Sequence, residues 1–157
     1  MKLELKNIKH TAWASEETHC YQASLYVDGK PVAIVSNDGH GGADRDYPHP
    51  KFKGDYRAQM RDVSRYFSGL RRTAVTEWSP EGMEQCLEFW CADQVNDWLS
   101  ARELKSKLRK AFLFQFADRV GVFAHKTRPS RAAGVAVVLN DLPFDEALSI
   151  WKETANV

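Results

Sequence analysis

The sequence predicts an α+β protein, with antiparallel β-hairpins forming a sheet, a helical middle section and a C-terminal helix. Two observations favour this class. Apolar and polar residues alternate near both ends of the chain, whereas apolar residues in the middle recur at spacings of three and four. With 157 residues and a hydrophobic share of 43%, the chain is long enough to bury a core as a single domain over 1–157.

The first third of the chain predicts three strands. Residues 2–13 alternate in hydrophobicity with one phase slip, which indicates a strand carrying a bulge. The run 20–27 is rich in aromatic and β-branched residues, and Asp28-Gly29 links it to an alternating run that ends near Ser36. An Asp-Gly pair between two such runs is a strong hairpin signal.

The middle of the chain predicts two or more helices. Tyr56, Met60, Val63, Phe67 and Leu70 share one helix face, and Gly69 suits the end of that helix. Ser79-Pro80 indicates the start of a second helix. Its expected apolar face consists of Met83, Leu87, Trp90, Cys91, Val95, Trp98 and Leu99. A capping-box pattern at 100–103 predicts a bend into a shorter helix.

The last third predicts a hairpin, a loop, a strand and a closing helix. Residues 112–116 and 120–124 alternate in the manner of paired strands, 127–133 should be an exposed loop, and 134–139 a buried strand. After Pro143, a helix should turn Phe144, Ala147, Leu148 and Trp151 inward. We expect the core to include Trp90, Trp98, Phe112, Phe116 and Trp151.

Charge and cysteine content exclude some classes of protein. The formal net charge of +1 comes from 22 basic and 21 acidic residues, so no global field steers the chain toward nucleic acid or a membrane. Cys20, Cys86 and Cys91 contain no Cys-x-x-Cys pair and indicate reduced thiols. Because no signal peptide or membrane-spanning run is visible, we expect a cytoplasmic protein with no membrane partner.

The glycine-rich segment 37–50 is the first candidate site. Irregular segments of this length in compact domains usually bind something or move. Its glycines could expose backbone amides to an anion, which makes a ligand-binding set of Asn37, Asp38, Gly39, His40, Gly41 and Gly42. We expect His40 to be the most sensitive of these residues, since it lies between two glycines. The structural alternative is a turn followed by a connector stiffened by Pro48 and Pro50.

The same segment contains residue types that bind divalent cations. If it holds such a metal cofactor, the ligands would come from His19, Asp38, His40, Asp44 and His49, and the protein would be a small metal-dependent hydrolase or nuclease. The spacing matches neither a Walker loop, nor a dinucleotide fingerprint, nor an EF-hand. Otherwise we expect no cofactor, and no catalytic residue can be assigned.

A row of arginines is the second candidate site. Arg57, Arg61 and Arg65 recur every four residues, away from the apolar face of the first helix. Such a row suits a phosphate or an acidic partner, and the alternative is a solvated helix face. Glu84 and Glu88 are more simply read as hydrophilic cover on the second helix.

One resemblance can be named. Residues 15–20, the hairpin around Asp28-Gly29-Lys30, and Ser36-Asn37-Asp38-Gly39-His40-Gly41-Gly42 resemble the N-terminal region of small uncharacterised proteins of phage and prophage genomes. The resemblance implies an accessory protein acting inside a bacterial cell. Our leading hypothesis is therefore a non-enzymatic binding protein whose partner is a host protein, an anionic ligand or a nucleic acid.

Overall fold

The computed structural model describes residues 1–72, 82–130 and 134–155. It confirms the α+β class, with antiparallel sheets, a long middle helix and a C-terminal helix. The chain separates into two compact units, Met1–Val95 and Asn96–Val157. A single domain over 1–157 stays a prediction. In the part of the chain that the structure describes, no helix has the length and apolar character needed to cross a membrane.

The first unit contains a four-stranded antiparallel sheet in the order β1-β2-β3-β4. Its strands are β1 (Leu3–His10), β2 (Tyr21–Val27), β3 (Lys30–Asn37) and β4 (Arg45–Pro48). The predicted bulge lies between Lys6 and Lys9 of β1. Asp28 and Gly29 have φ angles of 48° and 79°, as a tight two-residue hairpin turn requires.

Strand β4 corrects the expectation that the whole of 37–50 is irregular. Residues 45–48 pair with β3, from Ser36 opposite Arg45 to Ala33 opposite Pro48. All four residues of β4 are exposed, so no alternation of apolar residues marks the strand in the sequence. The strand forms because β3 offers it a partner, which is a tertiary effect.

Helix α1 (Tyr56–Phe67) begins and ends near the predicted positions. The side chain of Asp55 caps it by accepting a hydrogen bond from the Ala58 amide at 3.0 Å. Gly69 follows its end with a φ of 85°. The prediction that Leu70 shares the apolar face of this helix was wrong, because Leu70 lies beyond the helix and is 43% exposed.

Two short strands precede the long helix, β5 (Arg71–Arg72) and β6 (Met83–Glu84). The predicted start at Ser79-Pro80 lies outside the described residues. Met83 was wrongly placed on a helix face, because it lies in β6, which pairs with β5. Helix α2 runs unbroken from Leu87 to Leu108, so the predicted bend at 100–103 is also wrong. Strong helix formers such as Ala, Arg, Leu and Lys fill this stretch and favour continuing the helix over capping it.

The second unit has a three-stranded sheet and helix α3 (Phe144–Ala155). The strands are β7 (Phe112–Phe116), β8 (Phe123–His125) and β9 (Val135–Val138), in the order β8-β7-β9. Its buried core consists of Leu104, Leu113, Leu139 and Ala147. The fully buried side chains of both units are mostly aliphatic, and the five aromatic residues expected in the core are only half-buried. Among them, Trp151 packs against the second unit's core.

Candidate functional site

The loop 37–44, between β3 and β4, is built around the side chain of Asn37. This residue is 7% exposed. Its Oδ1 accepts hydrogen bonds from Thr18 Oγ1 at 2.7 Å and from the Gly39 amide at 2.9 Å. Its Nδ2 donates to the Gly42 carbonyl at 2.8 Å and to Asp44 Oδ1 at 2.9 Å. One buried amide group therefore connects both ends of the loop to the segment before β2.

Gly39 fixes the position of the loop against that segment. Its carbonyl oxygen accepts hydrogen bonds from the backbone amides of Glu16, Glu17 and Thr18, at 3.0, 2.9 and 3.3 Å. Its φ is 90°, and a Cβ atom built on it would lie 1.9 Å from the Ala14 carbonyl oxygen. Only glycine fits such a position, for both conformational and steric reasons.

Asp44 closes the loop on the core of the first unit. Its carboxylate accepts hydrogen bonds from Asn37 and from the Tyr21 hydroxyl. Burial, then the nearby Cys91 and Asp44, raise the pKa of Tyr21. Burial, followed by the charge of Asp44, raises the pKa of Cys91 to about 12. Cys91 is thus a protonated thiol at neutral pH, which is a poor nucleophile.

The outer part of the loop is exposed. His40 Nδ1 lies 3.3 Å from Glu16 Oε2, and both side chains are largely exposed. Arg45 Nη2 lies 3.2 Å from Asp38 Oδ2, also at the surface. Exposed ion pairs contribute little to stability, so these side chains are easily turned toward a partner. Gly41 and Gly42 are exposed between them.

The proposed metal ligands have separate neighbours in the structure. The His19 ring contacts His10, with 5.3 Å between ring centroids. The His49 ring accepts a hydrogen bond from the Lys51 amide at 3.1 Å. Asp38, His40 and Asp44 have the contacts given above. Within 1–72, 82–130 and 134–155, the structure places no group of three or more His, Cys, Asp or Glu side chains where they could hold a metal ion.

The arginine row is exposed on α1, as predicted. Arg57, Arg61 and Arg65 all have exposed side chains. Arg65 Nη1 lies 3.0 Å from Asp62 Oδ1. Successive members are four residues apart, so the row extends for about 12 Å along the helix axis at ~1.5 Å per residue.

Sequence reasoning missed a cleft of about 540 Å³ beside α1. Its apolar lining includes Val35, Met60, Val63 and Phe67. Its polar lining comes mainly from β4, the end of α1 and the residues that precede α2: Asp44, Arg45, Asp46, Ser64, Ser68, Glu84, Gln85, Cys86 and Glu88. These residues are distant in the sequence and share no motif, so no pattern in the sequence could have grouped them.

The cleft and the arginine row are neighbours on α1 but differ in charge. Ser64 lines the cleft and lies seven residues, or about two helical turns, after Arg57, so both belong to the same side of the helix. The cleft has four carboxylates and one guanidinium in its lining. Asp46 also accepts a hydrogen bond from the Tyr56 hydroxyl, whose pKa is raised by burial and then by this carboxylate. An anion is therefore favoured on the arginine row and disfavoured inside the cleft.

Comparison with known proteins gives no family for this chain. No protein-family model matches the sequence, and no significant match was found among curated proteins or solved structures.

Proposed function

We propose that this is a non-enzymatic binding protein that engages an anionic partner through the arginine row and the exposed part of the loop 37–44. The arginine row carries the proposal. Like charges four residues apart on a helix repel by a few tenths of a kcal/mol per pair. Of the three arginines in the row, only Arg65 has an acidic ion-pair partner among the described residues, and that partner is Asp62. A row maintained against this repulsion suits recognition of an extended anion.

The length of the row indicates the class of partner. Three guanidinium groups distributed over about 12 Å match several negative charges in series better than one isolated phosphate. A nucleic-acid backbone, a polyphosphate or an acidic protein surface would meet this condition. In the context implied by the resemblance to phage proteins, the partner would be a macromolecule of the bacterial host, met in the cytoplasm.

The loop 37–44 supports this role because internal hydrogen bonds fix its backbone. Its buried Asn37 and half-buried Asp44 side chains are occupied by internal hydrogen bonds. The exposed side chains of His40 in the loop and of Arg45 at the start of β4 form surface ion pairs. A partner can thus contact a preformed backbone and two adaptable side chains, at a low cost in ordering entropy. The metal-dependent hydrolase stays a prediction, to be tested by elemental analysis of the purified protein.

The experiment measures binding of heparin and of a labelled DNA duplex by the wild type and two charge-reversal variants. The first variant combines R57E, R61E and R65E. The matched control combines K9E, K30E and K53E, which reverses three exposed lysines of the same unit and changes the net charge equally. We expect the arginine variant to lose at least ~10-fold in affinity and the control much less, with wild-type binding falling steeply as salt rises.

Two outcomes would contradict the proposal: equal losses in both variants, or no binding of either probe by the wild type at low salt.

His40→Ala tests the loop in the same assay. Because the side chain is exposed, the substitution should change the free energy of unfolding by less than about 0.5 kcal/mol. It should still weaken binding ~10-fold if the loop contacts the partner. Unchanged binding would restrict the site to α1.

A further inference from the structure

The second unit carries an aromatic face on its three-stranded sheet. Phe112, Phe114 and Phe116 alternate along β7 and therefore lie on one face, opposite the core residue Leu113. Phe123 of β8 is directly opposite Phe114 in the register of the sheet. The ring centroids are 5.3 Å apart for Phe114 and Phe116, 6.3 Å for Phe114 and Phe123, and 5.1 Å for Phe116 and Phe123.

This aromatic face is accessible at its edge and is flanked by guanidinium groups. Phe123 is 36% exposed, Phe112 and Phe116 are half-buried, and Phe114 lies buried between them at 7% exposure. The guanidinium carbon of Arg119 lies 5.1 Å from the Phe116 ring centroid, and that of Arg128 lies 5.9 Å from the Phe112 ring centroid. Both arginines also form exposed ion pairs, which are weak and can be exchanged for a phosphate contact.

The surrounding sequence is strongly basic. Between Lys105 and Arg131 the sequence has eight basic residues and one acidic residue, Asp118. Arg109 and Lys110 come just before β7, and Lys126 directly after β8, with all three exposed. Of these basic side chains, Arg119 and Arg128 lie against rings of the aromatic face and give it a positive border, although the whole chain is nearly neutral.

We propose that the aromatic face, formed by Phe112, Phe114, Phe116 and Phe123, binds single-stranded nucleic acid. Unpaired bases stack on aromatic rings and on guanidinium planes, while basic side chains contact the phosphates. Paired bases in a duplex cannot reach such a face. The basic border favours this occupant over an apolar protein surface, which would gain nothing from it. The site is on a different unit from the arginine row and does not depend on the function proposed above.

The test is fluorescence anisotropy with a labelled oligothymidylate of about twelve nucleotides, with a duplex of equal length as a second probe. The variant Phe123→Leu keeps an apolar side chain of similar size but removes the ring. The matched control is Phe144→Leu, which changes a half-buried phenylalanine that packs against the core of the same unit. Circular dichroism of each variant verifies that it is folded.

We expect Phe123→Leu to weaken oligothymidylate binding at least ~10-fold and Phe144→Leu to leave it nearly unchanged. The double variant K126E/R128E should weaken binding and reduce its salt dependence. The R57E/R61E/R65E variant should retain most of this binding, which separates the two surfaces. The proposal is overturned if the wild type does not bind the oligonucleotide, or if Phe123→Leu binds it as well as the wild type. It is also overturned if sedimentation shows a dimer that this substitution dissociates.

Discussion

The strongest structural prediction concerns Asn37, because four hydrogen bonds converge on its buried side chain. Asn37→Ala removes all four, so that the Thr18 hydroxyl, the Gly39 amide, the Gly42 carbonyl and the Asp44 carboxylate each lose one partner. At about 1 kcal/mol per hydrogen bond, the free energy of unfolding should fall by ~3 to 4 kcal/mol. This is a large share of the ~5 to 15 kcal/mol typical of a folded protein.

A second substitution at the same position tests the reasoning. Asn37→Asp keeps the acceptor for Thr18 and Gly39 but places a carboxylate against Asp44 and the Gly42 carbonyl. At neutral pH it should destabilise at least as much as Asn37→Ala, and the loss should diminish at acid pH as the new carboxyl group is protonated. Urea titration followed by tryptophan fluorescence measures both.

The control for this pair is Gln22→Ala, at an exposed position of β2 that pairs with Ser36 beside the loop. It should change the free energy of unfolding by less than about 0.5 kcal/mol. A loss below ~1 kcal/mol for Asn37→Ala would refute the view that this side chain holds the loop. So would equal losses for Asn37→Asp at neutral and acid pH.

Two further predictions follow from the same region. Gly39→Ala should destabilise the protein by several kcal/mol, because the new Cβ atom meets the Ala14 carbonyl. Gly42→Ala should be tolerated, because nothing lies within 4 Å of its Cβ position. Equal melting temperatures for the two variants would contradict this prediction. The free energy of unfolding should also fall above pH ~9. The pKa values of Cys91 and Tyr21 are raised in the folded protein, so both groups ionise at lower pH in the unfolded chain, and this ionisation favours unfolding. The loss is about 1.4 kcal/mol per pH unit for each group. Urea titrations from pH 8 to 11 should then show a shallower decline in the Cys91→Ala variant, and identical slopes would disprove the assignment.

The parts of the fold that local chemistry determines could be predicted from the sequence. The Asp28-Gly29 turn and the periodic apolar face of α1 are visible in a few neighbouring residues, and both were confirmed. Strand β4 was missed, because its exposed residues pair only in the context of β3. The prediction of a bend at 100–103 was wrong, since a capping-box pattern is also compatible with the interior of a helix.

The candidate site could be predicted only in outline. The exposure of the arginine row follows from helix periodicity and was confirmed. The role of Asn37 could not be predicted, because its partners Thr18 and Asp44 lie 19 residues before and 7 residues after it. The cleft beside α1 likewise depends on β4 and on the residues before α2, which only the folded chain brings together.

Strand β4 has a consequence for how this protein avoids aggregation. An exposed strand at the edge of a sheet can pair with the same strand of another molecule. Here the edge strand is short, has two charged residues, Arg45 and Asp46, and ends at Pro48, which has no amide hydrogen to donate. These features disfavour pairing of β4 with an edge strand of another molecule, even though this edge of the sheet is exposed.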